Sequence, residues 1–351
     1  MKLVFNQAAL DQMTPLLESG GRVAVDTEAD SMHCYFEKLC LIQISLPGYD
    51  FLIDPLANVS LQTFFDRLTM REIIFHGADY DLRLLRRVGC PVPTKVFDTM
   101  IAARLTGRTE FSLSALIGEF FGVQLSKGSQ KANWAQRPLP PKMLEYAIND
   151  TRYLSNLAER LEIELRQLGR ISWFEQSCER AVTQAQICRS RDPEKVWRIS
   201  GSSRLSGKES AVLRELWKWR DEEARKANRP AFHILNNEQL LEAAVRVADN
   251  KAATFPRMSS SRARRFRRAS KSAQEVPESE WPRTERKSRV KASSEQLAKL
   301  NDLKSRRDKL AADIKLDPSL IAPKAALEKL VFSPDAGLES LMPWQRELMH
   351  L

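Results

Sequence analysis

Val25-Asp26-Thr27-Glu28 closes a short apolar run, and the two-residue period of an extended strand puts Asp26 and Glu28 on one side of the chain. Two adjacent carboxylates repel unless a cation lies between them. Further along, Ile73-Ile74-Phe75-His76-Gly77-Ala78-Asp79-Tyr80-Asp81-Leu82 passes from a strand through a glycine turn into a helix. It brings one or two more carboxylates, from Asp79 and Asp81, to the C-terminal edge of a sheet, where open α/β sheets keep their sites. In Tyr146-Ala147-Ile148-Asn149-Asp150-Thr151-Arg152-Tyr153-Leu154, Tyr146 and Asp150 are four apart and share a helix face. Asp150 adjoins the apolar positions Leu144, Ala147, Ile148 and Leu154, where a carboxylate needs a partner. Arg152 or Arg104 would be a structural partner, and a metal ion a chemical one. Four hard oxygen ligands without His or Cys suit Mg²⁺ or Mn²⁺ rather than zinc. Two such ions about 3.5–4 Å apart can clamp the attacking and leaving oxygens of a phosphoryl transfer, so the implied chemistry is phosphodiester hydrolysis.

The elements that must position these groups are legible as runs. Residues 22–26, 39–45, 50–54 and 72–75 are apolar stretches of strand length bounded by Gly, Pro, Asp and Asn. Helical patterns cover Ala8 to Leu17, Leu61 to Thr69, Asp81 to Val88, Thr99 to Leu105, Ser114 to Phe121 and the long stretch from Pro141 through Leu168. Strands crowd the first eighty residues, which predicts a mixed α/β sheet domain over residues 1–190. Beyond it the pattern is helical: Gly207 to Ala227, Asn237 to Val247, Ser261 to Ala273, Glu295 to Leu310 and Ala325 to Lys329. Ser- and Pro-containing segments around 255–261 and 276–284 separate them, and two related helical units are expected at 205–285 and 290–351.

Charge is divided unevenly between these regions. The 351 residues carry 55 Lys+Arg and 45 Asp+Glu, but residues 1–190 hold 21 and 22 of them, so the whole surplus of +10 lies in the second half. Residues 251–291 alone hold 13 Lys/Arg against four Glu. Such a block is either a solvated face or a surface that tracks phosphates. A hydrophobic fraction of 43% excludes wholesale disorder. No run of about 18 apolar residues exists, which excludes a membrane-spanning helix. The five cysteines never stand in CxxC spacing, which argues against a structural zinc site. The N-terminus builds no apolar segment of a secretory signal, so a cytoplasmic protein is the expectation.

With three motifs in order, the chain resembles the DEDDy class of 3′-to-5′ exonucleases, in its ribonuclease D branch. The matching residues are Val25-Asp26-Thr27-Glu28 with the strand Leu39-Cys40-Leu41-Ile42-Gln43-Ile44, then His76-Gly77-Ala78-Asp79-Tyr80-Asp81-Leu82, then Tyr146-x-x-x-Asp150, preceded by Trp134-Ala135-Gln136-Arg137-Pro138-Leu139. In the second half, Leu213 to Arg225 and Pro230-Ala231-Phe232-His233-Ile234-Leu235 resemble the HRDC domain, and the segment with Asp317-Pro318-Ser319-Leu320-Ile321 and Leu341-Met342-Pro343-Trp344 looks like a second, divergent copy.

The resemblance implies a ribonuclease H-like exonuclease domain, a mixed sheet flanked by helices, followed by all-α HRDC-type domains. It implies that Asp26, Glu28, Asp81 and Asp150 hold two divalent cations, with Asp26 shared, and that Tyr146 orients the attacking water. Asp81 is favoured over Asp79 by its place in the motif; Asp79 and Asp98 read as helix caps, and His76 as a structural group. Thr27, Gln43, Phe75, Lys127 and Trp134 are candidate contacts to the terminal nucleotides, and Arg262, Arg264, Arg265, Arg267 and Arg268 candidate contacts to the RNA body. The implied activity is a metal-dependent 3′-5′ exoribonuclease that releases 5′-mononucleotides, acting on precursor tRNA 3′ ends, with no membrane and no dedicated protein partner. The competing readings are a DNA repair or proofreading exonuclease and a non-catalytic RNA-binding protein on the same fold.

Overall fold

In the computed structural model, which describes residues 1–18, 21–126, 128–187, 192–256, 258–282 and 292–351, the apolar runs of the first half become neighbouring strands of one sheet. The strands are β1 (Lys2–Val4), β2 (Val23–Ala29), β3 (Leu39–Leu46), β4 (Tyr49–Ile53), β5 (Glu72–Phe75) and β6 (Lys95–Asp98), in the order β1-β4-β3-β2-β5-β6. β2, β3 and β4 pair antiparallel, while β1 with β4, β2 with β5 and β5 with β6 pair parallel, so the sheet is mixed as expected. Sequence patterning locates β2 to β5; β1 has only three residues, and β6 has two adjacent apolar residues, Val96 and Phe97, where the equally short β5 has three, so neither stands out as a run.

Alternation along β2 sorts its two faces. Val23 and Val25 pack with Ile42, Ile44, Phe64, Phe65 and Phe75 in one buried cluster. Ala24 packs on the other face with Ile74, Phe97, Leu157 and Leu161. Asp26 and Glu28 continue the Ala24 side, where the helix Pro141–Arg152 lies against β2, β3 and β4. That helix is shorter than the uninterrupted one expected from 141 to 168: it ends at Tyr153, and a second helix runs Leu154–Gln167. Both faces of the sheet are therefore closed by helices. Burial of the large apolar side chains on each face, at roughly 1.5–3 kcal/mol apiece, outweighs the weak helix propensity of any one segment.

The described residues divide into two compact units: residues 1–30, 38–188 and 291–351, and residues 31–37 and 189–290. Of the segment 290–351, expected as a second HRDC-like domain, the described residues 292–351 lie in the first unit with the sheet. Its helices share an apolar cluster built on Leu303, Ile321, Leu327 and Leu330, and Trp344 stacks on Trp173 with ring centroids 4.7 Å apart.

The second unit is helical. Helices Gly207–Ala227, Asn237–Ala248 and Ser260–Gln274 enclose Leu213, Leu216, Trp219, Leu240, Ala244 and Phe266. The first two of these helices begin with capping boxes, Ser206 with Glu209 and Asn236 with Gln239, which fix their N-termini. No helix among the described residues is long and apolar enough to cross a membrane.

Candidate active site

Asp26, Glu28 and Asp150 converge: each offers a carboxylate oxygen, and the three lie within 4.8 Å of one another. Two come from one edge of β2 and the third from the helix laid across it. Asp81 enters from the helix Asp79–Arg87 and is held by Thr27, whose hydroxyl donates to Oδ1 at 2.5 Å. Thr27 and Asp26 are consecutive and point to opposite faces, so one dipeptide supplies one carboxylate and anchors another.

The turn that delivers Asp81 is itself clamped. Gly77 has φ +85°, and a Cβ there would sit 2.8 Å from Met100 Cε, so only glycine fits without a shift. The Asp98 carboxylate accepts from the backbone N–H groups of Gly77 (3.0 Å), Ala78 (2.8 Å), Met100 (2.9 Å) and Ile101 (3.2 Å). It caps the next helix, as its sequence suggests, and also ties down the entry to the Asp81 helix. His76 Nδ1 bonds Thr99 Oγ1 at 2.9 Å, the structural role expected of it.

The electrostatics are those of acids crowded together without a cation. Burial first, then Asp81, Asp150 and Glu28, pushes Asp26 well above the usual carboxylate range. Burial, Asp150 and Asp81 push Glu28 up to about 9. Asp81 is pushed up to about 7, chiefly by burial and against the pull of the Thr27 hydrogen bond. Asp150 is pushed up to about 7, again chiefly by burial. Neither arginine that could have neutralised Asp150 does so: Arg152 pairs with Asp50 at 2.8 Å, and Arg104 lies over the Phe111 ring. Asp79 is exposed and pairs with Arg83, which leaves Asp81 as the site carboxylate of that helix. A donor set of carboxylate oxygens alone, mutually repelling and unpaired with any Lys or Arg among the described residues, fits hard divalent cations.

The Tyr146 phenol stands one turn before Asp150 and pulls its carboxyl down against the effect of burial, and the Gln130 side chain pulls the phenol down in the same way. Burial and the three carboxylates Asp150, Glu28 and Asp26 raise its phenol above the ordinary tyrosine value, so it stays a neutral hydroxyl at physiological pH. Gln130 lies in an irregular turn, and nothing in its sequence context marks it.

Several expected nucleotide contacts are placed otherwise. Gln43, Phe75 and Trp134 are 0%, 0% and 1% exposed, core positions with no surface to offer a base. Trp134 instead backs Tyr146, with ring centroids 6.1 Å apart. Gln43 stands opposite Asp26 across the β2–β3 ladder. The Thr27 side chain is buried and committed to Asp81. Lys127 lies outside the described residues. In the helical unit, Arg262 (3.2 Å) and Arg265 are both spent on Glu223, itself 3% exposed, so these two brace the fold. Arg264, Arg267 and Arg268 are exposed.

Residues 1–166 match a family model described as 3′-5′ exonuclease, and residues 209–266 match the HRDC domain. A protein of Bartonella henselae named Ribonuclease D is 30% identical over 256 residues, 72% of this chain and 63% of that protein. One of Desulfotalea psychrophila with the same name is 29% identical over 344 residues, 93% of this chain and 90% of that protein. The match thus spans under two thirds of the first relative's length and nearly all of the second's. In fold, the chain is similar to Escherichia coli RNase D, described as an exoribonuclease involved in structured RNA processing, at a TM-score of 0.72 and 22% identity, over 99% of this chain and 96% of that one.

Proposed function

We propose that this chain, similar over residues 1–166 to 3′-5′ exonucleases and over most of its length to proteins named Ribonuclease D, hydrolyses RNA from the 3′ end, releasing 5′-mononucleotides. The observation that carries the reading is the convergence of Asp26, Glu28 and Asp150 within 4.8 Å, with no cation of the described chain to balance them. Two Mg²⁺ or Mn²⁺ ions held by these residues and Asp81 would supply the Lewis acidity that phosphodiester hydrolysis needs.

The chain's own residues then have distinct tasks. Asp26 is affected by the charges of Asp81, Asp150 and Glu28 alike, which supports its role as the shared ligand. Thr27 and Asp98 hold Asp81 in place, the first directly and the second through the turn at Gly77. Tyr146 keeps its proton and stands one turn before Asp150, so it aligns the attacking water and does not act as a base. The positive surplus of residues 251–291 supports a division of labour in which the helical unit holds the RNA body by its phosphates. Precursor tRNA 3′ ends are the substrate we favour, because the similar E. coli enzyme is described as acting on structured RNA.

Purified protein incubated with a 3′-extended tRNA, with Mg²⁺ or with chelator, tests this directly. A ladder shortening from the 3′ end with Mg²⁺ alone, absent in Asp150→Asn, is the expected result. Equal or faster trimming of a matched DNA end would transfer the reading to DNA repair. No trimming by the wild type under any condition would leave only the non-catalytic reading.

A further inference from the structure

The helical unit contains a cleft of about 380 Å³ between helix Ser260–Gln274 and the chain that follows helix Asn237–Ala248. That volume is in the small-ligand range, and the lining combines three chemistries. Phe255 is half-buried and stands edge-on to the buried Phe266 ring at 5.7 Å, forming an aromatic wall. Arg267 and Lys271 bring positive charge from one side and Lys251 from the other. Ser270 Oγ is shielded from solvent and makes no hydrogen bond among the described residues, although its residue lines the cleft.

The charges are free to be used. Arg264, Arg267, Arg268 and Lys271 follow a spacing of three and four, so they share one helix face, and all are exposed. None forms an ion pair among the described residues, in contrast to Arg262 and Arg265 on the same helix. Lys251 has only the exposed Asp249 as partner among them, at 3.1 Å, the kind of surface pair that contributes little. Like charges one turn apart repel, and a shielded hydroxyl without a partner is destabilising. An anion between Arg267 and Lys271 relieves the repulsion, and the wall at Phe255 adds a place for a planar group beside it.

We infer that this cleft takes one nucleotide of single-stranded RNA, its phosphate against Arg267 and Lys271 and its base against Phe255. The inference rests on the exonuclease reading and narrows it: the helical unit grips an unpaired nucleotide and not duplex phosphates alone. Bases in an RNA helix are stacked away from side chains, whereas an unpaired base can pack on an aromatic ring.

The test uses the full chain in chelator, with a labelled single-stranded RNA and an RNA duplex titrated at several salt concentrations. Phe255→Ala is expected to weaken single-strand binding about tenfold, the loss of one base–aromatic stack, with the salt slope and duplex binding unchanged. Arg267→Gln with Lys271→Gln is expected to reduce the slope by about 0.7, one phosphate contact on a single strand. Ser270→Glu, which puts a negative charge in the cleft, should weaken the same binding and serves if Phe255→Ala lowers the melting temperature. 5′-AMP should displace the RNA better than inorganic phosphate does. Wild-type affinity in both Phe255→Ala and Ser270→Glu, or equal displacement by inorganic phosphate, would overturn the cleft. If the wild type shortens 3′ ends while these variants bind unchanged, the cleft alone fails; if the wild type neither binds nor shortens RNA, the exonuclease reading fails with it.

Discussion

At the residue scale, the spacing of Asp26, Glu28, Tyr146 and Asp150 carries their roles, because a strand's period of two and a helix's step of four are fixed by backbone geometry. What spacing does not supply is burial: Gln43, Phe75 and Trp134 sit beside the motifs along the chain but inside the core in space. The crowding of acids has a measurable consequence. Asp26, Glu28, Asp81 and Asp150 bind their protons more tightly in the folded chain than at the ordinary carboxylate range near 4. Between about pH 4 and 9 the folded protein therefore holds protons that the unfolded chain has lost, and metal-free stability falls as pH rises across that window. Glu28→Gln in chelator is expected to raise the melting temperature at pH 8, with the gain shrinking at pH 5; an equal or opposite effect at pH 8 would contradict the account. Tyr146→Phe keeps the ring against Trp134 and removes only the hydroxyl. Its trimming rate should fall by up to about a hundredfold, the size of a positioning effect, while RNA affinity and the shape of the pH–rate profile are retained. Loss of an ionisation from that profile would instead make Tyr146 a base.

At the element scale, the four strands that carry or flank the site are legible because each is a bounded apolar run, and β1 and β6 are not because the first has only three residues and the second only two apolar ones between Lys95 and Asp98. The break at Tyr153 also escapes the pattern, since apolar positions continue at helical spacing on both sides of it. The clip at Asp98 is half legible: its capping of Met100 and Ile101 follows from local sequence, but its reach to Gly77 and Ala78 depends on β5 and β6 lying side by side. Asp98→Asn leaves at least one of its four N–H partners, that of Ala78 on Oδ2, facing an amide nitrogen, and should cost about 1–3 kcal/mol of stability. Because the loosened turn delivers Asp81, Mn²⁺ affinity measured by calorimetry should fall as well. A loss of stability with metal affinity intact would reduce Asp98 to a packing residue.

At the scale of the whole molecule, the charge surplus of +10 by itself points to the second half as a candidate phosphate-binding region. Folding divides that surplus by use: Arg262 and Arg265 neutralise the buried Glu223, while Arg264, Arg267, Arg268 and Lys271 face solvent. Composition has no access to this distinction, since it depends on which helix turn faces Glu223. The central claim is that cutting and holding are separate tasks, performed by the carboxylate cluster and by the basic helices. RNA affinity and 3′-end shortening, measured on the same preparation of Asp26→Asn with a 3′-extended tRNA, test it most directly. Shortening should be abolished with affinity within about twofold of wild type, since Asp26 is not a phosphate-binding cation. Residual shortening near the wild-type rate, or affinity lost together with activity, would contradict it.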